Sequence, residues 1–249
     1  MNFWSDKASL SKPNAGNNPQ LPPALQLEGW PGHMVLDHRL AVFSQEHDYL
    51  IVADLHFGYA ASLNHRGALL PDWGEDVVEQ RLAALLQDYQ PKTLMLLGDL
   101  VHSEENWPGF LDFLKRVAKG LRMIFIRGNH DRKTPKTLDW HDHVTLGELC
   151  FHHGHLPLGQ PSVWEVVGHW HPAFRVGNRT GGTYRAPCFV EQPGRLILPA
   201  FSPWAAGTQW ASGEGERIWM CSAAGLLPVV LDAKRTNCGG RRSGAQGRR

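Results

Sequence analysis

Five times along this chain an apolar run stops at a short cluster of His, Asp or Asn, and that rhythm restricts the possible folds more than any other feature. The clusters are Asp54-Leu55-His56, Gly98-Asp99, Gly128-Asn129-His130-Asp131, His152-His153-Gly154-His155 and Gly168-His169-Trp170-His171. A run of four or five apolar residues suits a strand buried on both faces. In an open α/β sheet, the loops beyond the carboxyl ends of such strands gather sequence-distant residues at one place. Leu50-Ile51-Val52-Ala53, residues 93–97 and residues 123–126 therefore read as three strands, each leading into one of the clusters.

Between these runs the apolar period becomes helical. Val77, Val78, Leu82, Leu85, Leu86 and Tyr89 lie on one face of a helix over residues 73–89, with Asp72 and Glu75 placed to form a capping box at its start. Phe110, Leu111, Phe113, Leu114, Val117 and Ala118 repeat the pattern, with Pro108 in the first turn and Gly120 as a C-terminal stop. After about residue 144 the pattern changes to β-runs punctuated by Gly and Pro, at 163–167, 195–198, 217–220 and 227–231. A second sheet stacked on the first accommodates them. There is no internal repeat, and a chain of 249 residues can bury this core as one domain. That domain is expected at 25–233. Residues 1–24, rich in Pro, Asn and Ser, read as a flexible leader. Residues 234–249 carry Lys234, Arg235, Arg241, Arg242, Arg248 and Arg249 with no acid and read as a mobile basic tail, solvated rather than bound to nucleic acid.

Composition narrows the partners. A hydrophobic content of 42% and a charged content of 20% point to neither disorder nor a membrane protein. A formal charge of +1 argues against a large basic face that coats duplex DNA, because such affinity scales with the phosphates neutralised. Cys150, Cys188, Cys221 and Cys238 form no Cys-x-x-Cys pair, and no run of eighteen apolar residues or basic-then-apolar leader occurs. Reduced thiols and a cytoplasmic location are expected, without a membrane; the oligomeric state is left open.

The residue types in the clusters point to metal chemistry. Imidazole and carboxylate oxygen together suit Mn, Fe or Zn, whereas Mg and Ca prefer oxygen alone. Two dications close together need an anionic bridge, for which Asp99 is the natural residue, and can clamp both oxygens of an in-line displacement at phosphorus. The Asp-x-His and His-x-His pairs put alternate residues on one side of an extended segment.

The order Asp-x-His, Gly-Asp, Gly-Asn-His-Asp, His-Gly, Gly-His-x-His over residues 54–171 resembles the calcineurin-like metallophosphoesterases. The resemblance implies a four-layer αββα sandwich, two stacked mixed β-sheets flanked by helices, around two divalent transition-metal ions, Mn first and Fe or Zn as alternatives. It implies that Asp54, His56, Asp99 and His171 hold one ion, that Asp99, Asn129, His153 and His169 hold the other, and that His130 is catalytic beside them. A hydroxide bridging the ions would attack phosphorus. His130, with Asp131 as its orienting partner, would protonate the sugar alkoxide leaving group. His102, Arg66, Arg132 and Trp170 are candidate substrate contacts. Ala53-Asp54-Leu55-His56-Phe57-Gly58, the Gly-Ala-Leu-Leu-Pro segment at 67–71 and Gly98-Asp99-Leu100-Val101-His102-Ser103 are similar to the ligase-associated DNA-damage-response phosphodiesterases. Tyr59 stands where that subgroup often has Lys. The closer resemblance implies a DNA endonuclease acting on single-stranded DNA in repair, associated functionally with a ligase and a helicase. The same metal centre would also serve a phosphatase or phosphodiesterase acting on nucleotides, small phosphoesters or phosphoproteins.

Overall fold

The computed structural model describes residues 8–9, 21–71, 74–157, 164–177, 182–205 and 207–230. A two-residue strand, β1 (Ala8–Ser9), comes first in the chain and pairs with the second of two sheets. The first sheet holds β2 (Ala24–Gln26), β3 (Met34–Asp37), β4 (Ala41–Ser44), β5 (Tyr49–Ala53), β6 (Thr93–Leu97), β7 (Arg122–Ile126) and β8 (Trp140–His141), adjacent in that order. Strands β5 to β8 run parallel, and every residue of β6 is buried, as a central strand covered on both faces requires. Among the described residues, three α-helices accompany this half: α1 (Tyr59–His65), α2 (Gly74–Tyr89) and α3 (Trp107–Val117). Val78, Leu82 and Leu85 of α2 and Phe110, Phe113 and Leu114 of α3 are buried in the main core.

The second sheet holds β9 (His143–Leu146), β10 (Leu149–His152), β11 (Trp164–Val167), β12 (Pro172–Gly177), β13 (Thr183–Gln192), β14 (Arg195–Ile197), β15 (Thr208–Gln209), β16 (Arg217–Ser222) and β17 (Gly225–Pro228). Its path runs β9-β10-β11-β14-β13-β12-β1, with β15 beside β12 and β16 joining β13 to β17. Phe151, Val166, Phe189, Leu196 and Trp219 point into the core shared with the first sheet, while their neighbours Val167, Cys188, Val190, Ile197, Ile218 and Met220 form a second apolar cluster. That alternation is the two-residue period of a strand covered on both faces. The result is the expected sandwich of two mixed sheets with helices. Among the described residues, no helix is long and apolar enough to cross a membrane.

The meander and the contact made by Glu75 go beyond the sequence reading. The antiparallel meander β2 to β4 had no legible signal, since its four-residue strands β3 and β4 are buried at every position and show no alternation. Glu75 reaches beyond its own helix. Its Oε1 accepts the Gly58 N–H at 3.0 Å and so ties the helix to the loop after His56, while Asp72 and Trp73 lie outside the described residues.

Asp37 closes the meander. It is 2% exposed and accepts hydrogen bonds from the backbone N–H, Nε and NH2 of Arg39 and from the Tyr89 hydroxyl. Burial works against its ionisation, but the Arg39 and Tyr89 contacts prevail and hold the carboxyl below its ordinary range. A depressed acid contributes stability above its unfolded-state pKa and loses it as pH falls through the folded value. The contribution should therefore be constant above about pH 4 and fade below it. Asp37→Asn should cost about 2 kcal/mol at neutral pH, read by urea denaturation, with the difference from wild type shrinking in acid. An equal difference at pH 3 and pH 7 would show that the charge is irrelevant.

The leader boundary expected at residue 24 falls inside paired chain. Leu226 N–H donates to the Pro22 carbonyl at 2.9 Å, His38 N–H to the Pro23 carbonyl at 3.0 Å, and Ala24 opens β2 opposite Asp37. Deleting residues 1–24 should therefore lower stability by about 2 kcal/mol, because two amides lose their acceptors. An unchanged melting temperature would refute this anchoring role. The basic tail at 234–249 lies outside the described residues.

Candidate metal centre

Five loops meet at the carboxyl ends of β5, β6 and β7 and of the neighbouring strands of the second sheet. The first two run side by side beyond β5 and β6: Asp54 N–H donates to Gly98 O, His56 N–H to Asp99 O, Phe57 N–H to Leu100 O, and His102 N–H to Phe57 O. The second sheet closes on them, with His169 N–H donating to Asp54 Oδ2 at 2.9 Å and Gly168 N–H to His153 O. Close approach explains the glycines: a Cβ on Gly128 would lie 2.2 Å from Asp99 Oδ1, and one on Gly168 would lie 2.6 Å from Asp54 Oδ2. Asp54, His56, Asp99, His169 and His171 all have positive φ, between 44° and 73°. Left-handed backbone at non-glycine residues costs about 1–3 kcal/mol each, and its concentration here marks a functional site.

The donors form two groups. Asp54, His56 and His171 bring ligand atoms within 4.8 Å of one another, and so do Asp99, His153 and His169. His171 Nε2 lies 3.2 Å from Asp54 Oδ1 and 3.4 Å from His56 Nε2. The two groups touch at His153, whose Nδ1 lies 3.7 Å from Asp54 Oδ1 and whose Nε2 lies 3.3 Å from Asp99 Oδ2. Asn129 Oδ1 is 3.1 Å from the same Nε2.

These donors fit a cation for a reason of hydrogen-bond chemistry. His153 Nδ1 lies 3.0 Å from the Leu97 carbonyl, which selects the tautomer that donates there and leaves the Nε2 lone pair free. Two oxygen acceptors converge on that lone pair, Asp99 Oδ2 and Asn129 Oδ1, with His169 Nδ1 3.3 Å away. Acceptors facing acceptors need a positive charge between them. Without a metal, burial disfavours the His153 charge, yet Asp99 and Asp54 overcome it and push the imidazole up to about 9. Asp99 shows the complement: burial opposes its charge, but the His153 hydrogen bond holds it well below the ordinary carboxylate range. Among the described residues, buried Asp54 Oδ1 has no hydrogen-bond partner, as a metal-directed oxygen would lack one. Burial pushes His56 down to about 4, so it is neutral and able to coordinate.

The other predicted residues fall into place unevenly. His130 is exposed at the rim, its ring 5.9 Å from that of His56, and its backbone N–H donates to Asp99 Oδ1 at 2.9 Å. Asp131 does not orient His130. Its carboxylate is 4% exposed and accepts the amides of Asp99 at 2.8 Å, Leu100 at 2.9 Å and Gly128 at 2.8 Å, so it locks the Gly98-Asp99 loop instead. His102 lies 6.4 Å from His56, ring to ring, and 4.6 Å from Tyr59; burial lowers its pKa, and the Arg66 charge adds to this. Arg66 and Arg132 are exposed. Trp170 packs on His169 at 5.5 Å. His155, flanking the expected ligand, has its ring 5.3 Å from that of His153. Sequence reasoning missed the loop after β14, where Phe201 N–H donates to Ala53 O and Ser202 N–H to Asp54 O. Only its Pro and Trp residues marked it as irregular.

Comparison with curated proteins returned no match. Among solved structures, the chain is 28% identical to the nuclease MPE of Pseudomonas putida, with a TM-score of 0.66, over 82% of this chain and 99% of that one. An Aquifex aeolicus protein of unknown function, AQ665, is 19% identical with a TM-score of 0.34, over 53% of this chain and 81% of that one. The family profile of the calcineurin-like phosphoesterases matches residues 48–198, a segment that contains every donor of the centre. A sandwich whose loops deliver two abutting His and Asp groups, matched by that profile over more than half its length, belongs to the calcineurin-like phosphoesterase family, whose centres hold two divalent metal ions.

Proposed function

We propose that the protein is a phosphodiesterase that cuts single-stranded DNA internally, in the setting of DNA repair. The metal-binding geometry would serve a monoester equally well. The likeness to a nuclease across 82% of the chain is what carries the nucleic-acid reading. In this proposal Asp54, His56, Asp99 and His171 hold one ion, and Asp99, Asn129, His153 and His169 the other. The mixed nitrogen and oxygen donors favour Mn, with Fe or Zn as substitutes. Buried free thiols at Cys150, Cys188 and Cys221 support a reducing cytoplasm, and functional association with a repair ligase and helicase belongs to the same proposal.

When bound, the two ions supply Lewis acidity toward the phosphoryl oxygens and a water-derived nucleophile at neutral pH. The chain's own residues do the rest. His153 keeps its proton on Nδ1 against the Leu97 carbonyl and presents Nε2 to the centre. Asp131 holds the loop of Asp99 rigid through three amides. In this proposal His130, exposed with its ring 5.9 Å from that of His56, gives a proton to the departing sugar oxygen. His102, Arg66, Arg132 and Trp170 are the proposed substrate contacts.

The test is incubation of purified protein and Mn with a closed single-stranded DNA circle. Linear product that disappears on chelation is expected. Turnover of phosphomonoesters with the circle left intact would favour a phosphatase.

A further inference from the structure

Beside the metal centre lies a cavity of about 220 Å³, bordered by His171 and walled by Leu40, Pro172, Ala173 and Ala200, with Arg81 of α2 in its lining. The Arg81 guanidinium is half-buried. Its NH1 donates to the Phe201 carbonyl at 2.7 Å, and its carbon sits 5.2 Å from the Phe201 ring centre. Among the described residues no carboxylate forms an ion pair with it. Arg39 and Arg195, by contrast, each meet an acid, Asp37 and Glu165. Burial pushes Arg81 below the ordinary arginine range, yet a guanidinium remains charged in a protein. A partly desolvated cation without an anion is costly, and a guanidinium that borders a phosphoesterase centre and, among the described residues, donates a single hydrogen bond presents its fork to an anion. The cavity wall is also part of the site, because the loop pinned by Arg81 donates Ser202 N–H to the carbonyl of Asp54.

We propose that Arg81 and this cavity form a subsite for a second phosphate of the substrate, adjacent to the phosphate under attack. The subsite rests on the nucleic-acid reading above, since a nucleic acid offers a phosphate on either side of the one being cleaved. Its volume is below the roughly 300–1,000 Å³ of pockets that enclose whole drug-sized ligands, which suits one phosphate with part of its sugar. Apolar walls exclude water from the ion pair and strengthen it.

The experiment measures competition against hydrolysis of an aryl phosphodiester by the metal-loaded protein. The competitors are the thymidine dinucleotide TpT, its 5′-phosphorylated form and its 3′-phosphorylated form. One phosphorylated form should inhibit about tenfold more tightly than TpT, the worth of one charge-assisted pair, and which end carries the advantage identifies the flanking phosphate. Arg81→Gln keeps a donor for the Phe201 carbonyl while removing the charge, and should bring the ratio of the two inhibition constants toward unity. A residue that only buttresses the loop would shift both constants together and leave their ratio intact, which would overturn the proposal, as would a wild-type ratio of one. Arg81→Lys guards against a variant that fails to fold: its ammonium cannot reproduce the fork, so its ratio should fall below wild type, and an undiminished ratio counts against the guanidinium. Failure of the endonuclease reading is read separately, as an uncut circle, because the competition does not require the dinucleotides to be cleaved.

Discussion

Asp99→Ala should reduce phosphodiester hydrolysis to background and lower the bound metal measured by elemental analysis. The carboxylate is 2% exposed; Oδ1 accepts the His130 amide and Oδ2 faces His153 Nε2, so its removal strips the negative charge from the point where the two donor groups adjoin. Two unit charges 4 Å apart repel by about 4 kcal/mol at an effective dielectric of 20, and two dications by about four times as much. Asp131 cannot replace that charge, since it is committed to three backbone amides. Asp99→Asn separates charge from shape, because its amide oxygen can still accept the His130 N–H. It should lose metal nearly as severely while retaining more thermal stability than the alanine variant. An active Asp99→Ala protein that retains two ions would exclude Asp99 as the shared ligand.

His130→Ala should behave differently, keeping its metal and losing turnover in a way that depends on the leaving group. The side chain lies at the rim and belongs to neither donor group, so coordination should survive its removal. General acid catalysis is worth about 10²–10⁴-fold when the departing oxygen is a poor leaving group. A sugar alkoxide needs the proton and an activated phenolate does not. The loss of kcat should therefore be much larger on DNA than on an aryl diester, with metal content checked in parallel. Equal losses on both substrates would assign His130 to stabilising charge in the transition state. Since Asp131 does not touch the imidazole, Asp131→Asn should not mimic His130→Ala. It should instead weaken the loop that carries Asp99 and depress both substrates together.

Much of the site is legible in the sequence because its information is local. Buried parallel strands need unbroken apolar runs, and the residues just past their carboxyl ends are the ones a sheet brings together, so Asp54, Asp99 and Asn129 could be located from pattern alone. The identity of each donor is also local: imidazole, carboxylate and amide side chains announce coordination chemistry wherever they stand. The meander was illegible because four-residue strands buried on both faces carry neither alternation nor length.

What tertiary structure decided was the partner of every polar group. Glu75 sits where a capping box would use it, yet it reaches the Gly58 amide seventeen residues away. Asp131 follows His130 directly, yet it binds the amides of Asp99 and Leu100, which belong to another loop. Arg81 reads as one polar residue on an amphipathic helix until the loop after β14 folds over it and leaves its charge facing a cavity at His171. Periodicity determines which face of an element is buried, since burial follows from the local spacing of apolar side chains. The acceptor that a buried donor meets is set by long-range approach of backbone segments, and no local pattern encodes that approach.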